Sequence, residues 1–202
     1  MITIIDYGMG NLGSIANMLK KIGVESLITS DVKLISDAGK IILPGVGSYA
    51  RAMENLYNLD LVSVIRKKAE EGTPLLGICL GMQLLSTHSE EGNANGLNIV
   101  PGRVIKFHLP EEYKVPHMGW NLIKYNKTSP LFKNFSNLEE VRYYFVHSYH
   151  FQPENKSYEL ATAAYGLEFT CGIQNKNVFG VQFHPEKSHR FGMELLKNFS
   201  DL

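Results

Sequence analysis

The chain has 202 residues, 44% of them hydrophobic and 20% charged, which is typical of a globular protein with a sizeable core. Twenty basic residues balance twenty acidic ones, so charge gives no reason to expect binding to nucleic acid or to an anionic membrane. Neither a ~20-residue apolar span nor a signal peptide is recognisable, and two cysteines are too few for a disulfide framework. We therefore expect a cytoplasmic protein with one domain over residues 1–202.

Strand and helix patterns alternate over the first ninety residues. The predicted strands are Thr3–Tyr7, Val24–Thr29 and Lys40–Leu43, and the predicted helices are 12–22, Tyr49–Leu56 and Leu61–Glu71. This alternation indicates a parallel sheet, whose ligand site should lie at the carboxyl ends of the strands. The turn Gly8–Asn11 and the loop Pro44–Gly47 fall at such ends. The loop is either plain turn chemistry or a backbone that brings N–H groups close to a ligand.

The stretch Pro74–Leu85 has the pattern of a strand, a sharp turn and a helix predicted from Met82 to about His88. Gly77 and Gly81 flank Cys79 as in a nucleophile elbow, with cysteine in place of serine. Glycines leave room around a strained nucleophile, and the helix N-terminus favours a thiolate. The alternative is a buried core cysteine in an ordinary turn.

The second half is richer in strand patterns. After Glu90, Glu91 and a polar loop at Gly92–Gly96, which we expect to be solvated surface, six strands and a closing helix are predicted: Ile99–Phe107, Asn121–Tyr125, Val141–Val146, Glu159–Ala164, Phe169–Gln174, Val178–Phe183 and the helix His189–Phe199. The fold class is therefore α/β, a single domain with a central, mostly parallel sheet flanked by helices and extended by antiparallel strands.

His184 and Glu186 follow the last predicted strand two positions apart, so both can lie on one face of an extended segment. A cysteine followed far downstream by a histidine and a glutamate is one order of a catalytic triad. Cys171 stands apart and the histidines are scattered, so no metal-ligand spacing is present and no cofactor is expected.

Six short motifs, spread over essentially the whole chain, together carry a resemblance to a known family. They are Asp6–Leu12, Pro44–Gly47, Gly77–Gln83, Pro116–Asn121, Tyr144–Tyr149 and Gln182–Ser188. The elbow and the His-Pro-Glu sequence resemble the triad (class I) glutamine amidotransferases, whose fold is flavodoxin-like. Asp6–Leu12 and Pro116–Asn121 resemble, within that family, the glutaminase (HisH) subunits of imidazole glycerol phosphate synthase, a histidine-biosynthesis enzyme with hydrolase and lyase activities.

The resemblance implies a role for each matching residue. Cys79 would attack the glutamine carboxamide, His184 would activate Cys79 and protonate the departing ammonia, and Glu186 would orient His184. The oxyanion would be held by the backbone N–H of Leu80 and by one from the segment Gly45, Val46 and Gly47. The glutamine itself would contact Gln83, Ser148 and Tyr149.

The resemblance also implies a partner. In this family ammonia passes through a channel to a HisF-type (β/α)8-barrel cyclase in a heterodimer. The residues expected at that interface are Met9, Gly10, Asn11, Trp120, Tyr144 and Lys187.

Four alternatives remain at this point, and one is a non-catalytic subunit of the same fold, which an intact set of Cys79, His184 and Glu186 disfavours. Ser188–Met193 leans towards HisH-like paralogues that supply ammonia in surface-polysaccharide or nucleotide-sugar biosynthesis. An anthranilate-synthase component is disfavoured by Pro116–Asn121. A stand-alone cysteine hydrolase would leave Asp6–Leu12 and Pro116–Asn121 unexplained.

Overall fold

A long mixed β-sheet forms the framework of the fold. The computed structural model describes residues 1–135 and 140–202. The strands in these ranges are β1 (Ile2–Ile5), β2 (Ser26–Thr29), β3 (Ile41–Leu43), β4 (Leu75–Ile78), β5 (His88–Ser89), β6 (Ala94–Asn95), β7 (Gly102–Lys106), β8 (His117–Tyr125), β9 (Arg142–His147), β10 (Tyr149–Pro153), β11 (Glu159–Tyr165), β12 (Leu167–Asn175) and β13 (Val178–Val181). The helices are α1 (Leu12–Lys21), α2 (Val32–Ser36), α3 (Tyr49–Asn58), α4 (Leu61–Glu70), α5 (Leu80–Leu84) and α6 (His189–Ser200).

The centre of the sheet is parallel, in the order β2-β1-β3-β4-β13. Strands β1, β3, β4 and β13 are buried on both faces, because helices cover them. Ile15 of α1 and Leu195 of α6 pack in the core on one face, whereas Ile35 of α2 and Leu56 of α3 pack on the other. This arrangement leaves the carboxyl ends of the parallel strands as the place for a site.

The second half of the chain extends the sheet with antiparallel strands. Strand β13 pairs with β12, and the order continues through β10 and β7. Strand β11 branches from β12 to β8, which pairs with β9 so that His117 lies opposite His147 and Trp120 opposite Tyr144. Two of the sequence motifs, Pro116–Asn121 and Tyr144–Tyr149, are therefore neighbours in space.

The predicted fold class is confirmed, but one predicted helix is wrong in extent. The helix after Cys79 begins at Leu80 and ends at Leu84, instead of running from Met82 to about His88. It ends early because a later segment takes its last carbonyls. The Leu97 N–H donates to Leu84 O at 2.8 Å, and the Ile99 N–H donates to Leu85 O at 3.0 Å. The chain can then turn into β5.

Other differences are smaller. Helix α2 and strands β5, β6 and β10 were not predicted; α2 has only five residues, which is too short for a helical period to show. Strand β8 starts four residues earlier than predicted, at His117, and β7 starts at Gly102. In the described parts of the chain, no helix combines the length and the hydropathy needed to cross a membrane.

Candidate active site

Cys79 occupies a strained turn between β4 and α5. Its φ of 55° and ψ of −111° lie in a region that side-chain-bearing residues rarely adopt. A Cβ at Gly77 would lie 2.7 Å from Gly81 O, and a Cβ at Gly81 would collide with the Leu43 carbonyl of β3. Both glycines are thus required by close backbone approach. Cys79 is also held in place by its N–H, which donates to Val181 O at 2.8 Å.

His184 follows β13 and faces the same cavity as Cys79. Its Nδ1 lies 2.8 Å from Oε1 of Glu186, and both side chains are almost fully buried. The other ring nitrogen, Nε2, is buried without a hydrogen-bond partner among the described residues. That nitrogen is left to exchange a proton with a reacting group in the cavity.

The environment of His184 favours the imidazolium. Burial is the largest influence and acts to lower its pKa, but Cys79 and Glu186 together raise the pKa to about 10. The neighbouring thiol and carboxylate groups therefore favour the protonated side chain at neutral pH. This is the protonation state that a general acid needs.

A cavity of about 260 Å³ opens beside the cysteine. Its walls are Val46, Gly47, Cys79, Leu80, Gln83, Glu91, Val146, His147, Ser148, Tyr149 and His184. Six of the seven residues expected at the oxyanion and glutamine sites are among them. The seventh, Gly45, lies behind the wall, where it packs against Tyr7 and the start of α5. A larger depression of about 720 Å³ around Thr87 and Pro153 lies elsewhere and does not include Cys79.

Gln83 and Gln182 form a buried amide pair next to the cysteine. Nε2 of Gln83 donates to Tyr149 O at 3.1 Å and to Oε1 of Gln182 at 2.9 Å. Gln182 in turn donates through Nε2 to Cys79 Sγ at 3.7 Å. Sequence reasoning assigned no role to Gln182. The signal was there, because a polar side chain in a strand that is otherwise buried must find a partner.

Glu91 is a second residue that the sequence analysis missed. The predicted solvated surface is right for Glu90, Gly92, Asn93 and Asn95, which are exposed, but wrong for Glu91, which lines the cavity and whose pKa is raised by burial. Its Oε2 accepts the N–H of Tyr49 at 3.3 Å, at a helix start where Ser48 supplies no side-chain cap. Only the fold brings the chain after β5 to the first turn of α3, so no local pattern could have revealed it.

An exposed cluster, here called the aromatic face, lies on the other side of β8 and β9 from the core. It consists of Trp120, Tyr144, Lys187 and His189. Trp120 is 46% exposed, and its ring stacks 5.6 Å from the ring of His189, centre to centre. The Nζ of Lys187 lies 5.6 Å from the centre of the Tyr144 ring. Met118 and Leu122 lie on either side of Trp120 along β8, and both are exposed apolar side chains.

The other residues expected at an interface lie in the turn after β1. Asn11 is exposed, whereas Met9 and Gly10 are half-buried against the loop Pro44–Gly47. The Met9 methyl group lies 2.9 Å from the position of a Cβ at Gly47, and Gly10 approaches Pro44. This turn therefore contacts the cavity loop directly.

Comparison with known proteins shows which family has this sequence and fold. The family model for glutamine amidotransferase class-I matches residues 3–201. The chain is 52% identical over 200 residues to "Imidazole glycerol phosphate synthase subunit HisH 2" of Methanococcus maripaludis, covering 98% of each chain. It is 50% identical to "Imidazole glycerol phosphate synthase subunit HisH" of Moorella thermoacetica, covering 100% of this chain and 94% of the relative.

Solved structures agree on the fold. "Structure of PurLQS from Thermotoga maritima" includes a chain with a TM-score of 0.77 at 21% identity, covering 99% of this chain and 97% of that one. A crystal structure described as that of a glutamine amidotransferase also gives 0.77, at 17% identity, covering 100% of this chain and 98% of the other. With the family model matching nearly every residue and relatives at half identity, the chain belongs to the class-I glutamine amidotransferase family.

Proposed function

We propose that this chain is the glutaminase subunit of an imidazole glycerol phosphate synthase, acting in the cytoplasm in histidine biosynthesis. The observation that carries the proposal is Cys79 on a strained elbow, in one cavity with a buried His184–Glu186 pair. The names of relatives that align over the full chain supply the pathway. A cytoplasmic location suits a nucleophilic thiol, which must stay reduced.

In the proposed reaction, Cys79 Sγ attacks the side-chain carbonyl carbon of glutamine and forms a tetrahedral oxyanion. The proton on His184 Nε2 passes to the amide nitrogen and the C–N bond breaks. Ammonia departs, and a γ-glutamyl thioester of Cys79 remains. His184 then takes a proton from water, which attacks the thioester carbonyl carbon. The C–S bond breaks, which restores the Cys79 thiolate beside the His184 imidazolium and releases glutamate, whose new carboxyl group loses its proton to solvent. Glu186 fixes the ring through Nδ1 and stabilises its charged form throughout.

The oxyanion would sit at the N-terminus of α5. The first backbone N–H groups of a helix lack intrahelical partners, and the one on Leu80 directly follows the nucleophile. Val46 and Gly47 line the same cavity, and one of them would supply the second donor. Both protons on Gln83 Nε2 are already engaged, so this side chain can offer the substrate only its carbonyl oxygen.

Ammonia is reactive only while unprotonated, so its release should be coupled to an acceptor enzyme. We propose that a HisF-type (β/α)8-barrel cyclase docks on the aromatic face and on the Gly8–Asn11 turn, forming a heterodimer. Exposed Trp120, Met118 and Leu122 provide the large apolar side chains that interface centres favour.

A paralogous synthase of surface-polysaccharide or nucleotide-sugar biosynthesis is the second candidate. One observation supports this second candidate. His189 belongs to the segment Ser188–Met193, which resembles those paralogues, and its ring stacks on Trp120. That segment therefore lies where partner choice would be made. The glutaminase chemistry is the same in both cases.

The test is ammonia release from glutamine by the purified chain, alone and with a HisF-type cyclase plus its ribotide ligand, beside Cys79→Ala. Low activity alone, a strong rise with the liganded cyclase and none in Cys79→Ala is the expected result. Cys79-dependent activity that the cyclase leaves unchanged would move the partner to the second candidate. Absence of Cys79-dependent hydrolysis in every pairing would overturn the glutaminase assignment.

A further inference from the structure

Two buried histidines outside the proposed triad face each other across β8 and β9. His117 and His147 are 3% and 6% exposed, and their strands are in register at this pair. Nδ1 of His117 lies 3.0 Å from Nε2 of His147, which is hydrogen-bond distance. Aromatic rings surround them, with Phe145 and Tyr165 stacked on His117.

One end of this pair determines where the proton on His147 resides. Nδ1 of His147 lies 2.8 Å from Tyr149 O, and a carbonyl can only accept, so Nδ1 carries a hydrogen. Burial lowers the pKa of His147 to about 3 and that of His117 to about 4, so both rings are neutral. Nε2 of His147 is therefore bare and accepts the proton on His117 Nδ1.

The other end leads to the same assignment independently. Oδ1 of Asn121 accepts the N–H of Leu122 at 2.8 Å, and Nδ2 donates to Ala164 O at 2.9 Å, which fixes the orientation of the amide. The remaining proton on Nδ2 faces Nε2 of His117 at 3.3 Å. That nitrogen must accept, so His117 also carries its hydrogen on Nδ1.

The carbonyl of Tyr149 joins this pair to the cysteine. It accepts from His147 and also from Gln83, whose amide continues through Gln182 to Cys79 Sγ. An unbroken hydrogen-bonded chain, here called the relay, thus runs from Asn121 to the nucleophile. Its outer end lies on β8, and Trp120 of the aromatic face is the residue next to Asn121 on the opposite side of that strand.

We propose that His117, His147 and Gln182 are positioning residues, which hold the Tyr149 carbonyl and the Gln83 amide in the geometry that binds glutamine beside Cys79. Each hydrogen bond of the relay has one possible donor and one possible acceptor, and the Tyr149 carbonyl accepts from both sides, so each member can be satisfied in only one way. A change at β8 on docking would be felt at the glutamine pocket through the same bonds. This inference rests on the proposed glutaminase function for its kinetic test.

The kinetic test compares two variants of one residue. His147→Phe keeps the ring that packs against Phe107 and Phe145 but removes both hydrogen bonds. His147→Asn loses the ring but can keep a donor where Nδ1 stood. We expect His147→Phe to raise the KM for glutamine about ten-fold and His147→Asn to raise it less, since the hydrogen bond to Tyr149 O is lost in the first and kept in the second. A purely packing role predicts the opposite order and would overturn the proposal.

His150→Phe is the matched control. His150 is also buried, and its ring packs at a tilt against Phe107 with the ring centres 4.7 Å apart, but it lies outside the relay, so its replacement should leave the KM for glutamine unchanged. A KM shift in His150→Phe as large as in His147→Phe would overturn the proposal, because ring substitution alone would then explain both.

A spectroscopic test does not depend on activity. In the full chain labelled with 15N-histidine, the ring nitrogens of His117 and His147 should both show a protonated Nδ1 and a bare Nε2 at neutral pH. Free histidine favours the other tautomer, so this is a specific signature. A protonated Nε2 on His147 would overturn the relay, whereas absent Cys79-dependent hydrolysis in the unmodified chain would overturn only the proposed function.

Discussion

The backbone N–H of His184 donates to the carbonyl oxygen of Tyr144 at 2.9 Å. The Tyr144 N–H in turn donates to Ser188 Oγ at 3.0 Å, and that hydroxyl donates to His184 O at 2.6 Å. A residue of the aromatic face and the proposed general acid are therefore locked into one small hydrogen-bonded ring. Movement of β9 when a partner docks would reach His184 without passing through any intervening side-chain packing.

The elbow geometry predicts that Gly81→Ala is severely destabilising. A methyl group there collides with the Leu43 carbonyl in the centre of the sheet, where neither backbone segment can yield. We expect a loss of at least ~3 kcal/mol in the free energy of unfolding, measured by denaturant titration.

Gly13→Ala is the matched control for that variant. Gly13 lies in α1, and no atom outside its own helical turn comes within 4 Å of the point that an alanine methyl group would occupy. Alanine should therefore leave stability unchanged or raise it by roughly 0.5–1 kcal/mol. Equal effects at Gly13 and Gly81 would contradict the steric argument.

Glu186→Gln should shift the pH dependence of glutamine hydrolysis. Glu186 helps to raise the pKa of His184 to about 10, so activity that needs the imidazolium should fall only as pH rises through that range. Removing the carboxylate charge lowers the pKa of His184, so the fall should begin at lower pH. We also expect kcat to drop about 10²- to 10⁴-fold, because an amide N–H facing Nδ1 disfavours the working tautomer.

The measurement is kcat/KM for ammonia release between pH 6 and 10.5, with Glu91→Gln as the control. Glu91 lines the cavity but does not contact His184 through a hydrogen bond to either ring nitrogen. An alkaline limb that stays in place in Glu186→Gln would show that Glu186 does not set the pKa of His184.

Local patterns predicted the elbow, the parallel half of the sheet and the closing helix, because each is written in a short run of residues. Gly77, Cys79 and Gly81 fix their own turn, and the spacing of Phe191, Leu195 and Phe199 reveals the buried side of α6. The partners of Glu91 and Gln182 could not be identified in this way, although a polar Gln182 beside a buried strand indicated that it needs one. Their contacts join segments that are far apart in sequence, and no periodicity encodes which strand lies next to which.

Because His117 and His147 are buried in the neutral form, we expect the free energy of unfolding to fall in acid. Their pKa values are lowered in the folded chain, so the unfolded chain binds protons more tightly once the pH falls below about 6.5. Stability is fully present above that pH and should fall as the pH approaches 4. His147→Phe removes one such group. Between pH 6.5 and pH 4, the variant should therefore lose at least ~1 kcal/mol less of its free energy of unfolding than the unmodified chain does. Parallel pH profiles for the two proteins would contradict neutral burial of His147.

Trp120 is predicted to be the anchor of partner binding. A large, half-exposed indole flanked by His189 and Tyr144 can insert into a partner with its orientation already set, which reduces the ordering cost of association. We expect Trp120→Ala to weaken binding to a HisF-type cyclase by at least ~2 kcal/mol, measured by calorimetry, and His189→Ala to weaken it by less.

Tyr57→Ala is the control, since Tyr57 is 54% exposed at the end of α3 and belongs to no part of the aromatic face. If Trp120→Ala binds like Tyr57→Ala, the partner docks elsewhere. If His189→Ala instead strengthens binding to that cyclase, the segment that begins α6 selects against it, and the paralogous synthase becomes the better candidate.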